Sequence, residues 1–262
     1  MSADRAAATA AALPQPARYR RLRRLNVAAA VFLAAEGLYM LAASNGLALP
    51  VSASYLRDDP VRAIQPTLPE QIFAVRIGPV VAVFLLLAAI DHALVAAPRL
   101  HSWYERGLER RTNYVRWIEY SVSASIMISL IGLFVGIRDL AAVVTVFAAN
   151  TAMILFGLLM ERQQRPGRAD WSAFWFGSVI GLVPWALIAL YVAQPQNVPV
   201  FVYAITIVQF VLFFSFALNM ALQYAQVGWW RDYLHGEVCY VVLSLSAKSL
   251  LAWLIFANVL RT

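Results

Sequence analysis

The 262 residues carry 61% hydrophobic and only 13% charged side chains, about half the charged share of a soluble domain. That balance excludes a soluble globular enzyme and describes a chain that crosses a membrane several times. The formal net charge of +7 comes from arginines clustered between apolar runs, the pattern of cytoplasmic membrane loops and not of a nucleic-acid surface.

Residues 1–24 are Ala-rich, contain proline and end in Arg18, Arg20, Arg21, Arg23 and Arg24; they are expected to form a disordered basic tail up to the membrane. The first apolar run, 25–44, exceeds the about 7–15 residues of a signal-peptide core and reads as a retained helix. Runs at 72–97, 115–135, 140–160, 171–192, 198–224 and 238–260 follow, each near the roughly 20 residues that a bilayer crossing needs. Seven crossings result, in one domain spanning 25–262. Pro79 and Pro184 fall inside runs and read as kinks, because membrane helices tolerate proline. Pro98, Pro166, Pro195 and Pro199 punctuate the connections.

The longest connection, 45–71, contains an alternating stretch at 51–56 and predicts a short β-hairpin. Seven crossings place the tail and the second, fourth and sixth connections on one side, with 15 arginines, against Arg57, Arg62, Arg76, Arg138 and Arg261 on the other. By the positive-inside rule the N-terminus is cytoplasmic and the C-terminus and hairpin are extracellular, in a multi-pass protein of the cell membrane. Trp103, Tyr104, Trp171, Trp229, Trp230 and Tyr233 fall at the cytoplasmic ends and read as an interfacial aromatic belt without chemistry. Cys239 is the only cysteine, which precludes an intrachain disulfide. Three scattered histidines predict no metal site, and there is no Gly-rich phosphate loop.

Lys248, in the middle of the last run, is the only lysine; every other member of the 21 Lys and Arg residues is an arginine. An arginine does not deprotonate, whereas a lysine amine does, and the neutral amine is the nucleophile of Schiff-base chemistry. An ionisable group at this depth is a functional-site hypothesis by default. Counting from the loops places other polar residues at its level. His92 and Glu119 are equidistant from the middle of the connection that joins their helices, and Asn150 and Glu36 fall near the same depth. Glu119 and Ser123, like Ser244 and Lys248, are spaced i, i+4 and share a helix face. Arg116 lies on the face of Glu119, one turn nearer the cytoplasm. Asp91 is expected to point away from this layer, since adjacent helical residues diverge by about 100°. His235 reads as a loop residue. The plainer readings are a Lys248–Glu119 pair that only holds helices together, a Glu119–Arg116 pair near the interface, and a packing role for His92. Met127, Met153, Trp175, Trp185, Phe210, Phe213 and Phe214 are ordinary core types, but beside a central lysine they suit the walls of a slot for a long apolar ligand.

In RWIEYSVSASIMI (116–128), DHAL (91–94), NTAMI (150–154), VPW (183–185), FFSFALNMALQY (213–224) and SLSAKS (244–249), the sequence resembles the heliorhodopsins, the inverted seven-helix retinal proteins. The resemblance spans the membrane portion. It implies an all-α, seven-transmembrane-helix rhodopsin-like bundle with all-trans retinal joined to Lys248 as a protonated Schiff base. Glu119 would be the sole carboxylate counterion, with Ser123, Ser244 and His92 in the polar network around it. Tyr120, Met127, Asn150, Met153, Trp175 and Phe213 match positions that contact the chromophore. Many members also carry a histidine in helix one; this chain has none at 25–44, where Phe32 or Leu33 stands near that place and Glu36 is the nearest ionisable group.

The function expected on this basis is light sensing: a photoreceptor, not an enzyme, with a slow photocycle. It would act as a homodimer with a signalling partner at the arginine-rich cytoplasmic loops. The alternative is a light-driven proton transporter or channel relaying through Glu36, Asp91 or Asp139. A third reading is a retinal-free transporter built on the Lys248–Glu119 pair.

Overall fold

The computed structural model describes residues 15–55, 68–194 and 197–261. Among them are eight α-helices: α1 (Gln15–Ala43), α2 (Ile77–Ala96), α3 (Pro98–Glu109), α4 (Tyr114–Val135), α5 (Leu140–Gln163), α6 (Ser172–Ala193), α7 (Val200–Tyr224) and α8 (Tyr233–Ile255). Seven of them, all but α3, are long and apolar enough to cross a membrane. The protein is therefore a multi-pass membrane protein with a seven-helix, rhodopsin-like bundle.

The helix α1 begins earlier than the apolar run that defines it. Tyr19 and Leu22 are buried with Val95, Tyr104, Leu108 and Val241, Arg18 pairs with Asp232, and Arg23 Nε donates to the Ala96 carbonyl at 2.9 Å. Residues 15–24, expected to be disordered, are thus helical because their apolar side chains have a core to enter and their arginines have acceptors. The remainder of the expected tail, 1–14, lies outside the described residues.

The hairpin is present, with strand β1 (Ala48–Ala53) antiparallel to β2 (Glu70–Arg76). Its register runs from Ala48 opposite Arg76 to Ala53 opposite Glu70, with an irregularity at Val51 and Ser52. The strand β2 takes Ile72, Phe73 and Val75 out of the second apolar run, so that helix starts at Ile77 and not at residue 72. Branched and aromatic side chains suit a pleated surface, and β1 supplies the partner that a hydropathy count does not see. Pro79 consequently lies in the first turn of α2, where its missing N–H costs no helical bond, and of the two prolines expected to kink helices only Pro184 is interior to one. The hairpin is tied down by Ser52 N donating to Arg138 O at 2.9 Å and by the burial of Val51 in the main core. At the same end Asn45 donates from its side chain to Val259 O at 2.9 Å, which links α1 to the π-helical turn Phe256–Leu260 that ends the last crossing.

The second connection holds α3, which is too short to span. It opens with proline at its first position and buries Tyr104 and Leu108, as an amphipathic helix lying at the bundle's arginine-rich end would. Asn113 caps α4, accepting from Arg116 N at 3.1 Å, and Asp232 caps α8, accepting from Leu234 N at 3.1 Å. His235 is therefore helical, packed edge-on against Trp229 and Trp230. Both caps fix the helices that carry the central charges.

The helices α1 and α2 pack through small residues. A Cβ on Gly78 would lie 2.4 Å from Ser44 Cβ, an atom rigidly attached to backbone. Gly78→Val is expected to lose about 1–3 kcal/mol through overpacking, read as a lower thermal midpoint by circular dichroism in detergent. Gly46→Val, where the added carbon meets open space, is expected to leave the midpoint unchanged.

Candidate functional site

The centre of the site is one turn of α8 facing one turn of α4. Ser244 and Lys248 share a face, and Lys248 Nζ donates to Ser244 Oγ at 2.8 Å and to Glu119 Oε2 at 3.3 Å. The two charged side chains are only 3% and 7% exposed. Lys248 Nζ also lies 4.8 Å from the centre of the Tyr120 ring, whose hydroxyl donates to Tyr240 O at 3.0 Å. Glu119 Oε1 and Ser123 Oγ are buried without a protein partner. Buried groups of this kind are normally satisfied by ordered water, so the second carboxylate oxygen is available for a bond that the protein itself does not make.

A cavity of about 790 Å³ opens beside Lys248 and runs between α4, α5, α6 and α7; Glu119 does not line it. Lys248, Ala247 and Ser244 form its inner end. All seven aromatic and sulphur residues expected to wall a slot, Met127, Met153, Trp175, Trp185, Phe210, Phe213 and Phe214, line it, as does Tyr120. Trp185 meets Phe210 and Phe213 edge-on at centroid distances of 5.3 and 5.5 Å. Met153 reaches the cavity because Gly181 faces it; a Cβ there would sit 2.3 Å from the Met153 sulphur. Trp175 stands at the outer side, 61% exposed. The volume is within the roughly 300–1,000 Å³ of small-molecule sites, and the walls are mainly apolar, with Ser178, Ser215, Ser244, Tyr120 and Lys248 the polar residues among them. An elongated apolar molecule with one electrophilic end fits this donor set.

The expected polar layer divides into separate groups. His92 is buried on α2, with Nδ1 2.7 Å from Asn26 Oδ1. The Asn26 amide nitrogen is committed to Leu22 O at 3.0 Å, so Oδ1 is the acceptor, His92 Nδ1 carries the proton, and Nε2 is left with the lone pair. Asn150 does not line the cavity; its amide donates to Ser125 Oγ at 3.0 Å and joins α5 to α4. Glu36 accepts from Ser249 Oγ and Trp253 Nε1, both at 2.6 Å, and so binds α1 to α8 beside the lysine without touching it. Asp91, expected to point elsewhere, is buried, and its carboxyl interacts electrostatically with Glu119 and Lys248.

Arg116 is not a partner of Glu119. It pairs with Glu161 at 2.6 Å and with Glu237, with its guanidinium 4.0 Å from the Tyr240 ring centre. Glu161 also accepts from Asn113 N at 2.9 Å, Trp117 Nε1 at 2.5 Å and Tyr233 hydroxyl at 2.9 Å. Glu237 accepts from Tyr104 hydroxyl at 3.0 Å and Asn113 Nδ2 at 2.6 Å. Burial, reinforced by the Glu237 charge, holds the Tyr104 phenol well above its ordinary pKa, so it remains a donor. This cluster, closed except at Arg116 Nε, which is buried without a partner, joins α3, α4, α5 and α8. Sequence reasoning overlooked it: it gives Glu161 and Glu237 no role and places Tyr104 and Tyr233 in an interfacial belt. The available signal was depth: Arg116, Glu161 and Glu237 each lie within about a turn of a helix end on the same side.

Removing Arg116 leaves two carboxylates buried without a cation. Arg116→Met is expected to cost about 3–5 kcal/mol, measured by thermal or denaturant unfolding, and Arg116→Lys to restore little because one ammonium cannot reproduce the forked contact.

The family model described as Heliorhodopsin matches residues 22–260, which includes every residue of the cavity and of both ionic groups. A comparison with curated proteins finds no match.

Proposed function

We propose, from the premise that the chain belongs to the heliorhodopsin family, that it is a light-sensing photoreceptor that signals instead of pumping ions. Membership makes it a retinal-binding rhodopsin of the membrane, a photoreceptor-type protein. The observation that carries the finer reading is the buried Lys248 amine, paired with Glu119, in the wall of a mainly apolar cavity.

Retinal, when bound, supplies light absorption and isomerisation. The residues supply the rest. Lys248 Nζ, in its neutral form, would be the nucleophile toward the aldehyde, holding the chromophore through a bond made with loss of one water. Glu119 then balances the cationic nitrogen as the sole carboxylate counterion, and Ser244, one turn away, offers that nitrogen an oxygen. Met127, Met153, Trp175 and Phe213, with the Tyr120 ring, hold the polyene and exclude water from it. Ser123 and His92 belong to the polar surroundings into which the proton departs. Asn150 supports that wall through Ser125. The isomer bound in darkness is all-trans.

The arginine distribution supports a cytoplasmic N-terminus and an extracellular hairpin. The arginine-rich end, with α3 and the closed cluster, is then the face offered to a signalling partner, and the working unit is a homodimer. A slow photocycle suits a receptor whose active state must outlast an encounter with that partner.

Addition of retinal to the expressed protein is expected to give a visible absorption band that Lys248→Ala lacks; a band of unchanged intensity in that variant overturns the assignment. Glu119→Gln is expected to shift the band and to move part of its amplitude to the near ultraviolet, because the proton on the nitrogen loses its negative partner. A variant that absorbs like the wild type would make another residue the counterion. In loaded vesicles, illumination is expected to leave external pH unchanged, and a protonophore-sensitive change would establish transport in place of sensing.

A further inference from the structure

Asp91 stands on α2, 8% exposed, with Oδ1 sealed from solvent and without a protein partner. It is the only aspartate buried among the described residues. The charges that face it come from two helices packed on α2: Glu119 and Arg116 of α4, and Lys248 and Glu237 of α8. From α3, Tyr104 experiences its charge; on its own helix the neighbouring titratable group is His92, which α1 holds through Asn26. Asp91 therefore lies within electrostatic reach of both ionic groups, the open Lys248–Glu119 pair and the closed Arg116 cluster.

The cations nearby are already committed. Lys248 is matched by Glu119, and Arg116 by Glu161 and Glu237 together. No buried cation among the described residues is left for a third site. An ionised carboxylate in such a place is costly, and neutralisation by a proton removes the cost. Its sealed, unpartnered oxygen gives that proton a place within electrostatic reach of Lys248.

We propose that Asp91 is a proton store of the light cycle, a carboxylic acid in darkness that gives its proton to the Lys248 nitrogen after the first proton has left. This rests on the retinal reading. In the first step the N–H bond at Lys248 breaks and the proton passes to His92 Nε2, the nitrogen that the Asn26 hydrogen bond leaves with a lone pair. In the second, the O–H bond of Asp91 breaks, an N–H bond forms at the imine nitrogen, and Asp91 becomes a carboxylate. In the third, His92 returns its proton to Asp91. Each proton is accounted for, and none crosses the membrane.

The test uses the retinal-loaded full chain. Light-minus-dark infrared spectra of the wild type are expected to lose a protonated-carboxyl C=O band that shifts when aspartate carries ¹³C at its carboxyl. Asp91→Asn is expected to keep the visible band in darkness, to lack the infrared signal and to recover about 10²-fold more slowly after a flash, the contribution of one positioned proton donor. Asp91→Glu is expected to restore most of the rate. A wild-type infrared difference insensitive to labelled aspartate overturns the proposal whether or not Asp91→Asn folds, and so does unchanged recovery in that variant. Absence of a visible band in the wild type would instead overturn the retinal reading itself.

Discussion

A lysine ammonium in the middle of a membrane bundle has to be neutralised, and the arrangement of the inner helices follows from that requirement. Glu119 does so from α4, 3.3 Å away, and Ser244 adds a second acceptor from the lysine's own helix at 2.8 Å. The pair fixes the rotation of α4 against α8, since a turn of either helix by one residue would carry its charge about 100° away. It also leaves Glu119 Oε1 and Ser123 Oγ unsatisfied by protein. A pair that existed only to join two helices would gain from filling those bonds, because buried polar groups are costly when partly satisfied. The open bonding capacity is therefore a reason to read the pair as chemistry.

The Arg116 cluster is the useful contrast. The same helices α4 and α8 meet there a second time, at the arginine-rich end, but the two carboxylates receive donors from Asn113, Trp117, Tyr104 and Tyr233 as well as the guanidinium. That network is dense, drawn from four helices, and built on a cation that does not lose its proton. The proposed photoreceptor thus has a dense polar anchor near one surface and a sparsely satisfied polar pair farther inside.

Much of this was legible in the sequence, and the parts that were not share a cause. Seven apolar runs, the single lysine, the Glu119–Ser123 and Ser244–Lys248 spacings and the residues of the slot all follow from composition and helical periodicity, which are local properties. The β2 strand was hidden inside an apolar run because Ile72, Phe73 and Val75 serve a strand as well as a helix until β1 is known to lie beside them. The early start of α1 depends on Tyr19 and Leu22 entering a core made by α2, α3 and α8. Glu161 and Glu237 look like interfacial residues until Arg116 is seen between them. In each case the deciding partner is more than twenty residues away, and no window along the chain contains both.

The departure in helix one can now be placed physically. A histidine missing from α1 left Glu36 as its nearest ionisable residue, and depth alone made it a candidate to hold a migrating proton. Both Glu36 oxygens, however, are engaged at 2.6 Å by Ser249 and Trp253 of α8, so both are taken up in joining α1 to α8. The contribution of α1 comes instead from Asn26, a residue that does not titrate, which orients His92 on α2. Beyond Glu119, whose Oε1 is itself open, the titratable groups left with spare capacity are then His92 through Nε2 and Asp91 through Oδ1, neighbours on one helix. Helix two, and not helix one, is where the structure leaves room for the proton.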